Sequence, residues 1–298
     1  MDTERRASAE SSWNIIGVFA APPKFQDLEA DLLPECATLF SCSNGTPMKN
    51  TAAECAFCDD PDRMSREHIF SDWINKLLPI EWDSQYKGSD LKVIKRKAKS
   101  LDQKARVVCE RCNNTWMNDI ETEHSQPVMT PLILGQQVGI PIKQSDARSI
   151  AIFAFKTAVV LDHCRREREP FFSRRLRHAF RKNLSIPTTV SMWLCPYLCE
   201  HRRADYRVGY FNGELSPGYK IHLYVLTCGI GCFAFQVVAV KQIGTLGLYP
   251  LQGFERLAVP FWPGPHPNLI WPPNRGLRSL ADFQAFHDRW NAVTPIIS

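Results

Sequence analysis

Two pairs of cysteines frame the part of this chain best equipped for chemistry. Cys55 and Cys58 stand two residues apart in AECAFC, and Cys109 and Cys112 repeat that spacing in VVCERCNN about fifty residues later. One CxxC turn can present two thiolates to one ion, and two such turns make a tetrahedral four-sulfur site suited to Zn²⁺, with Zn–S near ~2.3 Å. Four thiolates fill that coordination sphere, so a zinc held there is structural. Between the pairs lies Glu67-His68, and Asn113 directly follows the second pair. A histidine, a carboxylate and an asparagine carbonyl together form a hydrolytic set for phosphodiesters. The imidazole can take a proton from water, while the oxygens hold a hard divalent cation such as Mg²⁺. That cation would stabilise charge on the phosphorane and the leaving oxygen.

The order CxxC, then EHI, then CxxCN resembles the four-cysteine branch of the HNH endonucleases, also called His-Me finger or ββα-metal nucleases. The resemblance covers roughly residues 53–125, about a quarter of the chain. It implies a zinc-stapled hairpin-and-helix (ββα) core and metal-dependent cleavage of DNA. By position it gives His68 the general-base role, Glu67 the place of the metal-binding acid and Asn113 that of the second ligand of the catalytic Mg²⁺ or similar cation. Cys55, Cys58, Cys109 and Cys112 take the zinc role. The acidic position is more often Asp, and Glu67 is one methylene longer. The middle asparagine of the motif has no match, because Asn75 is the only Asn between the pairs and belongs to a short helix. Asn114, Asn118 and Glu121 are further oxygen donors that could face the ion, whereas Met117 is no ligand for a hard cation. The competing reading is a non-catalytic zinc knuckle that binds nucleic acid or protein, which has no need of Glu67, His68 and Asn113.

Positioning these groups requires elements that the sequence partly announces. Ser71 can cap a short helix with Trp73, Ile74, Leu77 and Leu78 on one face. The run GSDLKVIKRKAKSLDQKARVV predicts a basic strand or hairpin leading to the second cysteine pair. There Lys95, Arg96, Lys97 and Lys99 are candidates for DNA contact. A helix is predicted from Asn113 to about His124, with Trp116, Met117 and Ile120 inward. Ser145 to Leu161 reads as a long buried helix, in which Lys156 must snorkel or pair with an acid. Ser173 can cap the next helix, whose apolar stripe is Leu176, Ala179 and Phe180. Its many arginines form a second basic cluster that could meet phosphate. Strands are predicted at 189–194, 205–211, 219–227 and 232–241, the last two forming a hairpin about Gly229 to Gly231. A final helix follows, with Leu280, Phe283, Phe286 and Trp290 inward.

These elements predict an α+β chain: a flexible extension over 1–47, the zinc-stapled ββα unit over 48–128, and a larger α+β domain with an antiparallel sheet over 129–298. The net charge of +5 leans toward anionic partners without proving them. No segment reaches the ~18 apolar residues of a membrane span, and the acidic N-terminus does not read as a secretory signal. The eleven cysteines include two CxxC pairs, which fit metal-bound thiolates in a reducing cytoplasm better than a disulfide framework. Cys195, Cys199 and His201, or Cys228 and Cys232, lack that spacing and read as buried thiols.

Overall fold

The computed structural model describes residues 54–60, 63–78, 83–87, 93–97, 104–135, 139–164, 169–198, 204–216, 219–242, 257–263, 269–272 and 276–292, all within the unit Leu39–Ser298. The extension predicted over 1–47 lies outside them. In chain order the first elements are β1 (Glu67–His68), α1 (Asp72–Leu77), β2 (Asp83–Lys87), β3 (Val93–Lys97), β4 (Lys104–Ala105) and α2 (Glu110–Cys112). The last of these runs on through two wide π-type segments, Asn113–Met117 and Ile120–Ser125, into α3 (Gln126–Leu134). Next come β5 (Ile140–Pro141), α4 (Gln144–His163), α5 (Arg174–Asn183), β6 (Val190–Pro196), β7 (Ala204–Ser216), β8 (Tyr219–Ile230) and β9 (Phe233–Gln242). The chain continues with β10 (Val259–Trp262), β11 (Ile270–Trp271) and α6 (Leu280–Asp288), closed by a tight turn at Arg289–Ala292.

The fold is α+β, built on a five-stranded antiparallel sheet of order β10-β6-β9-β8-β7. The strands β6, β8 and β9 are apolar runs because both faces are covered, and alternation divides their side chains between two layers. Met192, Leu194, Tyr224, Leu226, Phe235 and Val237 join the core that contains α4. Trp193, Cys195, Leu223, Val225 and Val238 face α6 through Phe283 and Phe286. From Ile150 to Asp162 every residue of α4 is buried, which explains its lack of a polar face. Among the described residues, no helix is long and apolar enough to cross a membrane. The β8–β9 hairpin falls where the sequence placed it. Gly231 has φ +60° there, and a side chain at that position would collide with the Ile133 carbonyl at the end of α3.

Several local expectations change. Ser71 occupies the N-cap of α1, but its hydroxyl makes no capping bond. Ala179 is exposed, and the inward position on α5 belongs to Arg177, at 7% exposure. Leu280 is 38% exposed rather than inward, since α6 needs only Phe283 and Phe286 to cover its face of the sheet. Lys156 does not snorkel: it is fully buried, pairs with Glu121 and lies 5.1 Å from the Phe153 ring centroid. Position 128 lies within α3, and residues on both sides of it contribute to one core. Phe57 and Trp116, for example, pack on Phe180 with ring centroids 6.3 and 5.9 Å away.

Candidate metal centre

The first cysteine pair sits on a tight loop. The Asp59 N–H donates to the Cys55 carbonyl at 2.9 Å, and Asp59 takes a left-handed φ of +56° that turns the chain back. This loop is fastened to the approach of the second pair by the Ala56 N–H, which donates to the Val107 carbonyl at 2.8 Å. The second pair opens a helix. Cys109 is its N-cap, its sulfur accepts the Cys112 N–H at 3.4 Å, and the Asn113 N–H donates to the Cys109 carbonyl at 3.0 Å.

A short hairpin joins the two. Met64 bridges Cys109, the Ser65 N–H donates to the Val108 carbonyl at 2.9 Å, and further along Glu67 pairs with Ala105 and His68 with Lys104. The three steps from Met64 to Glu67 are matched by four from Cys109 to Ala105, so an extra residue bulges on the second strand.

These constraints bring all four sulfurs within 4.8 Å of one another, with Cys58 and Cys109 at 3.6 Å. A tetrahedron with Zn–S of ~2.3 Å has edges of about 3.8 Å. The donor set and its spacing therefore fit a closed, tetrahedral metal site. It is the only such grouping of His, Cys, Asp or Glu among the described residues. Cys195 and Cys228 are buried thiols, the first pushed up to about 12 by burial and the second also raised well above the ordinary thiol range for the same reason. Cys199 and His201 lie outside the described residues.

The sulfurs are surrounded by donors and cations. The Cys55 sulfur is driven well below the ordinary thiol range, chiefly because the Cys112 thiol donates to it, while Cys112 is raised in turn. The Trp116 indole N–H beside Cys112 favours the thiolate. Arg111 donates to Asp60 at 3.0 Å, and the neighbouring Cys58 sulfur and the Asp60 carboxylate hold its guanidinium above its usual range. From α5, the buried Arg177 donates to the Ala56 carbonyl and to the Phe172 carbonyl, the latter at 3.1 Å. Asp59 accepts from Arg174 and lies 2.8 Å from His178 Nε2. Part of the second basic cluster thus braces the first cysteine loop. One signal in the sequence pointed there: Arg177 and Phe180, three apart on a helix, share a face.

His68 is half-buried on β1, and Asn113 is half-buried at the start of the π-type segment. That segment is distorted at Thr115 (φ −114°, ψ −111°), whose hydroxyl donates to the Arg111 carbonyl at 2.7 Å. The backbone of Glu67 pairs with Ala105. Asn75 is buried on α1, whereas Asn114 and Asn118 are exposed. Glu121 is committed to Lys156 and does not serve as a further ligand. In the basic segment, Lys95, Arg96 and Lys97 lie on β3, paired with Gln85, Ser84 and Asp83 of β2, and Lys99 lies outside the described residues. Comparison of the chain with protein-family models, curated proteins and solved structures returned no match.

Proposed function

We propose that this protein is a metal-dependent, HNH-type endonuclease that hydrolyses DNA phosphodiester bonds around a structural Zn²⁺. The observation that carries this reading is the convergence of both CxxC turns on one four-sulfur cluster. From that cluster extend a hairpin bearing His68 and a helix bearing Asn113. A strand pair followed by a helix is the element order that the resemblance implies. In this reading His68 takes the proton from the attacking water, and Glu67 and Asn113 hold Mg²⁺ or a similar divalent cation. The cation supplies charge stabilisation at the phosphorus and the leaving oxygen. Lys95, Arg96, Lys97 and Lys99 add salt-dependent attraction for the DNA backbone. Four uncrosslinked thiolates are best kept in a reducing compartment, which favours the cytoplasm.

Incubating the full-length protein with supercoiled plasmid and Mg²⁺ or Mn²⁺ tests the reading. Nicked or linear product is expected, and His68→Ala should lower its rate by ~10²-fold or more. Undiminished cutting by His68→Ala would defeat the catalytic assignment. DNA binding without cutting under any divalent cation would put the non-catalytic knuckle in its place.

A further inference from the structure

We propose that Lys104 is the phosphate-positioning cation of the site built around His68, where it holds a non-bridging oxygen of the DNA phosphate under attack. The proposal rests on the nuclease reading above and adds a residue that the motif does not supply.

Its basis is the hairpin register. β1 and β4 are antiparallel, and Lys104 lies directly opposite His68. Residues so opposed project from the same face, with Cβ atoms about 4.5–5.5 Å apart. Lys104 is exposed and His68 half-buried, whereas Ala105, the next residue of β4, is buried at 5%. Asp72, in the first turn of α1, approaches the same place. Its carboxylate lies 2.6 Å from Lys76, which is the main reason it sits below the ordinary carboxylate range, and His68 and Lys104 add to that effect. An imidazole and an ammonium therefore stand side by side on one face of the hairpin, with a carboxylate near them.

The chemistry follows from their types. When His68 removes a proton from water and the oxygen attacks phosphorus, negative charge grows on the non-bridging oxygens. A lysine ammonium is a compact point charge suited to one such oxygen, and it gains most where that charge increases toward the transition state. Lys76, which pairs with Asp72 on α1, is the natural control.

Lys104→Met, Lys104→Arg and Lys76→Met would be compared with the unaltered full-length protein. Binding to a short DNA duplex would be followed by anisotropy with Ca²⁺ over a range of salt, and single-turnover cutting would be measured with Mg²⁺ at saturating DNA. Lys104→Met should weaken binding about three- to tenfold and reduce the salt slope by about one. It should also slow cutting at saturation by about tenfold or more. Lys104→Arg should recover most of the binding, and Lys76→Met should change neither quantity. Retained metal content and urea midpoint exclude misfolding as the cause of a loss.

Wild-type binding and cutting by Lys104→Met would overturn the proposal. Weaker binding with an unchanged saturating rate would also overturn it, leaving only a general backbone contact. If the unaltered protein binds duplex but never cuts, the nuclease reading fails and with it the positioning role. If it neither binds nor cuts, both ideas fall together.

Discussion

The cysteine cluster and the α6 face of the sheet solve one problem by opposite means. Each uses polar groups inside an apolar shell to fix segments far apart in sequence. The cluster concentrates charge: four sulfurs, Asp59 and Asp60 on one side, Arg111, Arg174 and Arg177 on the other. The α6 face relies on amide and hydroxyl groups. Gln236 Nε2 donates to Thr227 Oγ1 at 2.7 Å and to the Phe286 carbonyl at 3.1 Å, while Gln236 Oε1 accepts from Arg289 and from the Trp290 indole at 2.9 Å. Clustered thiolates repel one another unless a cation sits among them, so the first arrangement is one that a bound metal ion would strengthen. A fully satisfied amide depends on no ion at all.

Metal removal should expose this contrast most strongly. Structural Zn²⁺ contributes on the order of 10–16 kcal/mol to the folding of small zinc modules, more than any single side chain here can offer. Hydrogen exchange with and without a strong chelator should show rapid exchange at 54–78 and 104–125 in the stripped protein. Amides of β8 and β9 should stay protected by the sheet and its two covering layers. Equal loss of protection in both regions would break the comparison and make the chain one metal-dependent unit. Metal analysis of unchelated protein should find about one zinc per chain.

The two regions were also unequally legible in the sequence. The cysteine spacing and the long apolar runs of β8 and β9 carry local, periodic signals, and both lie where those signals placed them. What covers them was not visible. Arg174, Arg177 and His178 meet the first cysteine loop across more than a hundred residues of chain, and only the fold brings them together. A run of arginines on a helix reads as a solvated face until tertiary packing chooses one of them. Gln236 and Thr227 hid within strand-forming runs, their partners supplied by a helix some fifty residues on. Glu121 looked available as an oxygen ligand because Lys156, its partner, is thirty-five residues away. For the candidate site, the residue types and their order were legible, whereas the hairpin register that sets Lys104 beside His68 was not.

Gln236→Leu tests the ion-independent half of the comparison. The change keeps the volume roughly constant but leaves the Phe286 carbonyl and the Trp290 indole N–H without their partner inside the protein. Each buried group so stranded costs about 1–3 kcal/mol, so a loss of about 3 kcal/mol is expected in the urea midpoint of the metal-loaded protein. The loss should be the same with excess zinc, since no ion takes part. A shift under about 0.5 kcal/mol, the scale of an ordinary surface substitution, would show that water readily replaces the network.

A smaller effect comes from His287, at the edge of that network. Its Nδ1 lies 2.9 Å from Thr227 Oγ1, and because that oxygen already accepts from Gln236, the hydroxyl hydrogen is free to point at the imidazole. The ring is thus held neutral, with Nδ1 as acceptor. Burial is the main reason its pKa falls from 6.5 to about 3, and the charges of Arg207 and Arg289 add to the fall. In the unfolded chain the histidine binds a proton below pH 6.5, whereas in the folded chain it does so only near pH 3. Between those values the unfolded state holds more protons, so stability rises with pH and is lost on acidification. The contribution is complete above pH 6.5 and declines by about 1 kcal/mol between pH 6 and pH 5. His287→Asn can still offer an oxygen to Thr227 but cannot titrate. Urea unfolding of both proteins across this range, with zinc saturating, cancels the acid sensitivity of the thiolates, which they share. The wild-type curve should fall more steeply than that of His287→Asn by this amount. Parallel curves would mean that water reaches His287, and that acid sensitivity, like the need for metal, belongs to the charged region alone.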